Sequence, residues 1–265
     1  LYIGTETGVH VSFDDGASWS SLQTNLPVVP ITDMRIHRDD IVVATQGRAF
    51  WILDDVSPLR AWADIHDQSV ALVQSKDVLR IGRADGFGSK PGTNPPDGAI
   101  IDFVIADPPE ADGSVRLEIL DDADNVIRTF TNAAHPDADC YLTTLEPHAE
   151  AGEPYGQLSV EPGLNRFVWN LRRENVPCIE GHVIPSGWAG PRVHAAEYKV
   201  RLTANGQIHT RPLRVQPDPR STATADDRAA YARVMRDTYE LVSEAHRAVA
   251  TMRSIGAQAD DRAHG

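Results

Sequence analysis

The sequence predicts a mainly β protein that closes on one long α-helix. Three observations carry this. Short apolar alternations recur at close intervals over residues 1–55 and again over about 97–217. Gly, Asp and Asn turn signals punctuate them (ETG, DDG, HRDD, ANGQ). After Pro219 proline disappears, and the period changes from two to between three and four.

Taken in order, Leu1–Gly4, Val9–Phe13, Ser18–Leu22, Ile31–His37, Ile41–Thr45 and Ala49–Leu53 read as an antiparallel array of short strands. This first unit is placed at 1–62. Residues 63–96 are expected to be a linker, because GRADGFGSKPGTNPPDG is too rich in Gly and Pro for regular structure. Within it, Gln68–Gln74 and Val78–Ile81 have the length of brief strands. Over 97–217, GAIIDFVI, SVRLEILD, NVIRTF, LNRFVWNL, EYKVRLTA and IHTRPLRVQ supply six strands, with hairpin turns at DDADN and ANGQ. That number in that length fits an immunoglobulin-like β-sandwich. The last unit, 218–265, opens on Ser and Thr followed by acids, an N-cap signature, and predicts a helix over about 223–256. Tyr231, Val234, Thr238, Leu241, Ala245, Ala248, Met252 and Ile255 alternate in steps of three and four, a heptad seam that needs a partner. The partner is expected in a second copy, in further chain, or in the sandwich.

Composition narrows the function classes. The chain has 265 residues and a formal net charge of -13. A surface so acidic repels a phosphate backbone, so nucleic acid is not an expected partner. Lysine occurs only at Lys76, Lys90 and Lys199. That bias fits a GC-rich genome, or a surface kept hydrated in salt. No apolar run is long enough for a membrane span. The first residues, LYIGTETGVHVSF, enter directly in a strand pattern without methionine, and the chain reads as part of a longer protein.

The most specific stretch is SFDDGASW, residues 12–19. Asp14 and Asp15 are adjacent, so on a strand they point to opposite faces and cannot form a catalytic pair across a cleft. No closing acid follows at the spacing a calcium loop requires. A turn explains the residues better: Asp accepts backbone N–H bonds across the bend, Gly takes a positive φ, and Trp is expected to bury its face between neighbouring sheets.

The pattern Ser-x-Asp-x-Gly-x-x-Trp, filled by Ser12, Asp14, Gly16 and Trp19, matches the Asp-box, or BNR repeat. With LPVVPITDMRIHRDDIVVATQGRAFWILDD, where Gln46 and Ala49 replace the usual His and Gly, the chain resembles the closing part of bacterial sortilin-like β-propeller proteins. Such proteins are often labelled glycosyl hydrolases. The later strands and the helix resemble the immunoglobulin-like domain and helical tail that follow such propellers. The resemblance implies one or two partial propeller blades, an extracellular or periplasmic location, upstream blades as partners, and a structural Asp-box. It carries over no catalytic residue.

Other chemistry is sparse. The ten histidines are scattered, with no HExxH and no close pair. No cofactor or metal is expected. Cys140 and Cys178 fall in irregular stretches; in an exported protein they would form one disulfide, and otherwise they are two thiols. Trp188, in PSGWAGPR, is the expected exposed aromatic for ligand stacking. The favoured function is therefore a non-catalytic structural, docking or binding region of a propeller protein, with self-association through the helix. Two alternatives stand beside it. One is an accessory or carbohydrate-binding region of a glycoside hydrolase whose acids lie upstream. The other is a propeller that binds proteins or peptides.

Overall fold

The computed structural model describes residues 1–81, 96–109, 114–135, 157–179 and 188–264. The protein is mainly β with a C-terminal helix. Two small antiparallel sheets come first. The first has β1 (Tyr2–Thr5), β2 (Gly8–Val11) and β3 (Ser20–Ser21) side by side; the second has β4 (Ile31–His37), β5 (Asp40–Thr45) and β6 (Phe50–Leu53). Each is a meander of neighbouring strands, β2 and β3 being joined by the longer turn at 12–19. They share one apolar cluster built from Val9, Leu26, Val29, Ile41, Val43 and Val56. Ala49, in the turn before β6, has a φ of 60°, the left-handed region.

Helix α1 (Ser57–Ile65) follows, with proline at its start and therefore no lost hydrogen bond. Its Trp62 and Ile65 pack with Ala71, Val73 and Val104. The segment expected as a linker is in part structural. β7 (Val70–Leu72) pairs with β9 (Ala99–Ile105), and β8 (Val78–Arg80) pairs in parallel with β14 (Gln207–Pro217). Val70 and Leu72 are fully buried, so the core recruits them as strands. The Gly/Pro-rich remainder, 82–95, lies outside the described residues.

The body has two further sheets. One runs β12 (Gly163–Trp169), β9, β7. The other runs β11 (Val126–Thr131), β10 (Arg116–Leu120), β13 (Ala196–Ala204), β14, β8 and curls as a half-barrel. One cluster draws on both, including Ile101, Phe103, Leu117, Ile119, Trp169 and Leu202. β9 is buried along its whole length because it is covered twice. Ile101, Phe103 and Ile105 face that cluster, while Val104 faces α1. The β13–β14 turn places Asn205 and Gly206 at φ 50° and 74°, a type I′ hairpin. Pro212 is tolerated within β14 because β8 covers that strand only at 215–217.

Helix α2 (Ala225–His264) closes the chain. A capping box starts it: Thr224 Oγ1 accepts from Asp227 N–H at 3.2 Å, and Asp227 Oδ2 accepts from Thr224 N–H at 2.9 Å. None of the helices in the described residues is long and apolar enough to cross a membrane.

Candidate functional site

Three places gather chemistry-bearing side chains. The first is the turn between β2 and β3. Ser12 donates its hydroxyl to Asp14 Oδ1 at 2.9 Å and accepts from Gly16 N–H at 2.7 Å. Asp14 Oδ1 accepts from Ser18 N–H at 2.8 Å, and Oδ2 accepts from the Ser18 hydroxyl at 2.5 Å. Asp15 and Gly16 take positive φ, 55° and 95°. The Ser18 hydroxyl and N–H, then the Ser12 hydroxyl, hold the Asp14 carboxyl down at about 2. A depressed carboxyl stabilises its turn above the ordinary carboxylate range, and that contribution is lost progressively as pH falls from that range through about 2. The Ser12 hydroxyl and both Asp14 carboxylate oxygens are thus engaged in closing the bend. Trp19 corrects its expectation: 42% of it is exposed, and its ring edge lies across Gly16 rather than between sheets.

The second is a clasp between the small sheets and the body. Asp102 on β9 and Arg166 on β12 are register partners. Arg166 donates Nε to Asp102 Oδ1 at 2.8 Å and Nη2 to Oδ2 at 3.0 Å. The same guanidinium donates to the backbone oxygens of Asp54 and Asp55 at 3.3 and 3.2 Å. Asp55, buried, accepts from the Ser57 N–H and hydroxyl, and its own N–H donates to Asp40 Oδ1. Lys76 also reaches Asp40, at 2.9 Å, and Arg60 pairs with Asp39. Burial pushes the Asp102 carboxyl above its usual range, although Arg166 pulls it down. The Arg166 guanidinium, which reaches solvent, is held more tightly protonated by its hydrogen bond to Asp102. These acids are all engaged in chain closure, and no group of His, Cys, Asp or Glu among the described residues could hold a metal ion.

The third is an open cleft of about 340 Å³ where the β8–β14 edge meets the start of α2. Arg80, His194, Arg228 and Tyr231 line it, with Asp218 and Asp227. Both acids are already bonded: Asp218 to Arg220 at 2.9 and 2.7 Å, Asp227 within the capping box. Desolvation lowers the His194 imidazole pKa although the residue reaches solvent, and the charges of Arg173, Arg236 and Arg80 add to it, against Asp122. The cleft offers donors but no activated nucleophile.

Trp188 is a correction. The expected exposed ring is 3% exposed. It packs with Ile179, Val176, Cys178 and Val249, edge-on to His246 at 5.6 Å. Its face is covered by α2, so it cannot stack on a ligand. His246 Nδ1 lies 2.9 Å from the Pro177 oxygen, which can only accept, so Nδ1 carries the proton. Cys178 is disulfide-bonded; Cys140 lies outside the described residues. Trp169 and Trp51 lie in strands; Trp169 is fully buried, its Nε1 donating to Arg172 O at 2.8 Å, while Trp51 is half-buried against the N-terminal cluster.

Sequence reasoning placed Ser12, Asp14 and Gly16 in one turn and missed the clasp and the cleft. The clasp had a signal: Asp102 is the one acid in the apolar run AIIDFVI, and a buried acid needs a partner. The cleft had none, because its residues come from three separate segments, around 80, 194 and 217–231. No family model matches the chain, and no curated protein matches it.

Proposed function

We propose that this chain is the closing, non-catalytic region of an exported BNR-type, sortilin-like propeller protein. Its two small sheets are partial blades, and its body is an immunoglobulin-like sandwich that braces them. The observation that carries this reading is the Asp-box turn, whose Ser12, Asp14 and Gly16 spend their polar groups on the bend itself. The outward face of the second sheet supports it. Phe50, 75% exposed, and Ile52 stand on one face of β6, opposite Trp51 and Leu53, which join the apolar cluster. Val42 and Ala44 are their register partners on that face. A neighbouring blade would cover such a face. The clasp supplies the bracing, since Arg166 ties the 54–55 segment to β9.

The test compares Phe50→Asp in this chain and in the full-length parent. This chain should keep its thermal midpoint within about a degree, because the ring is already in water. The parent should lose several degrees, on the order of 2–4 °C per kcal/mol, because a charge enters a blade contact. Equal loss in both, or none in either, would reject the partial-blade reading. A panel of polysaccharide hydrolysis assays on this chain should stay silent; turnover would overturn the non-catalytic assignment.

A further inference from the structure

Helix α2 carries two stripes. Ala232, Met235, Tyr239, Ser243, His246 and Val249 are half-buried or buried. This stripe holds the helix to the body: the Arg173 guanidinium lies 5.8 Å from the Tyr239 ring centre, and His246 and Val249 meet the Trp188 cluster. The second stripe is the heptad seam. Tyr231, Thr238, Ala245 and Met252 occupy one of its core positions, and Val234, Leu241, Ala248 and Ile255 the other; all eight are exposed. Leu241 is 67% exposed and Met252 63%. The docking of α2 therefore uses one face and leaves the predicted seam exposed, with Tyr231 at its start also lining the cleft.

We infer that this seam pairs with the same seam of a second copy, as a parallel two-stranded coiled coil. The spacing selects a helix as the partner. Steps of three and four hold without a break from 231 to 255, roughly 36 Å of helix at 1.5 Å per residue. A strict 3.5-residue repeat keeps facing a partner only when the two helices supercoil, whereas a stripe meeting a sheet needs no such repeat. A second copy brings the matching repeat in register: Leu241 meets Leu241, and the Ala245 and Ala248 layers let the helices approach. Orientation follows from charge. Asp237 and Glu244 flank the seam on one side. An antiparallel pair centred on this seam would set Glu244 against its own mate, and a parallel pair does not.

The size is adequate. The exposed Tyr231, Val234, Leu241, Met252 and Ile255 present on the order of 500 Å² of apolar surface per copy, so two copies reach the ~1,000 Å² that a specific interface needs. The helix is already ordered by its docked stripe, so association has little chain left to fix. The two stripes are on different faces, so both contacts can be made together.

Sedimentation equilibrium on this chain tests the inference. It should show a reversible dimer in the micromolar range. Leu241→Asp should weaken it by at least ~100-fold with unchanged far-ultraviolet circular dichroism, since the residue is exposed in one copy. Ala250→Asp, on an exposed position off the seam, should leave the dimer intact. Ile255→Cys should cross-link on mild oxidation, because parallel pairing brings the two positions together. A monomer up to about 100 µM, or a dimer indifferent to Leu241→Asp, would overturn the self-pairing. An intact dimer without the Ile255→Cys cross-link would overturn the parallel arrangement.

Discussion

Ala49 shows how far single residues were legible. The phrase ATQGRAFWILDD placed a turn before β6 and marked Ala49 as standing where glycine is usual. The structure gives that alanine a φ of 60°, while its carbonyl accepts from both the N–H and the hydroxyl of Thr45, at 3.2 and 2.7 Å. A Cβ in the left-handed region costs about 1–2 kcal/mol, and the greater freedom of unfolded glycine offsets part of any gain. Ala49→Gly should therefore stabilise the chain by about 0.5–1 kcal/mol, seen as a raised urea midpoint at constant slope. A lowered midpoint would mean that the turn is not strained as its dihedral implies. The turn at 12–19 was readable for the same local reason: the side chains of Ser12, Asp14 and Ser18 bond to groups within four residues. Trp19 was not, because what covers a tryptophan is decided by other elements.

At the scale of elements, the strands were legible and their neighbours were not. β4 and the β13–β14 hairpin fall where alternation and turn residues put them. β7 and β8 were foreseen as short apolar runs but set in a linker, since only pairing with β9 and β14 reveals them as parts of the body. Trp188 failed in the same manner. PSGWAGPR reads as an exposed loop until α2, nearly sixty residues later, closes over it. The consequence is specific. Trp188, with Val249 and the His246 ring, anchors the helix rather than a ligand. Trp188→Ala should open a cavity under α2 and cost about 3–5 kcal/mol, which is what truncating a buried tryptophan typically removes. The loss should be local. Amide exchange in α2 near 239–249 should accelerate strongly, while β9 and β12 stay protected. Uniform acceleration in all three would show that the helix and the body unfold as one unit.

For the whole molecule the deciding contact is between Arg166 and Asp102. It joins the second small sheet, through the carbonyls of Asp54 and Asp55, to the most buried strand of the body. Asp102 is 4% exposed, so its charge cannot be left alone. Arg166→Ala removes every donor that this arginine gives to Asp102, Asp54 and Asp55. Breaking a buried pair costs about 3–5 kcal/mol, and the solvent reaching Arg166 discounts that to roughly 2–3 kcal/mol. The pH dependence has a definite sign. Burial raises the Asp102 carboxyl pKa, so the ionised form is the costly one in the fold. The penalty is present above that pKa and relieved as pH falls and the carboxyl takes a proton. Without Arg166 the pKa rises further, because the group that pulled it down is gone. The variant's deficit in unfolding free energy should therefore be larger at about pH 7 than at about pH 5. A second substitution separates the pair from the packing: Asp102→Leu in the Arg166→Ala background removes the stranded charge and should recover most of the loss at neutral pH. A deficit equal at both pH values and untouched by Asp102→Leu would mean that the strength of the clasp lies in the Asp54 and Asp55 carbonyl bonds alone.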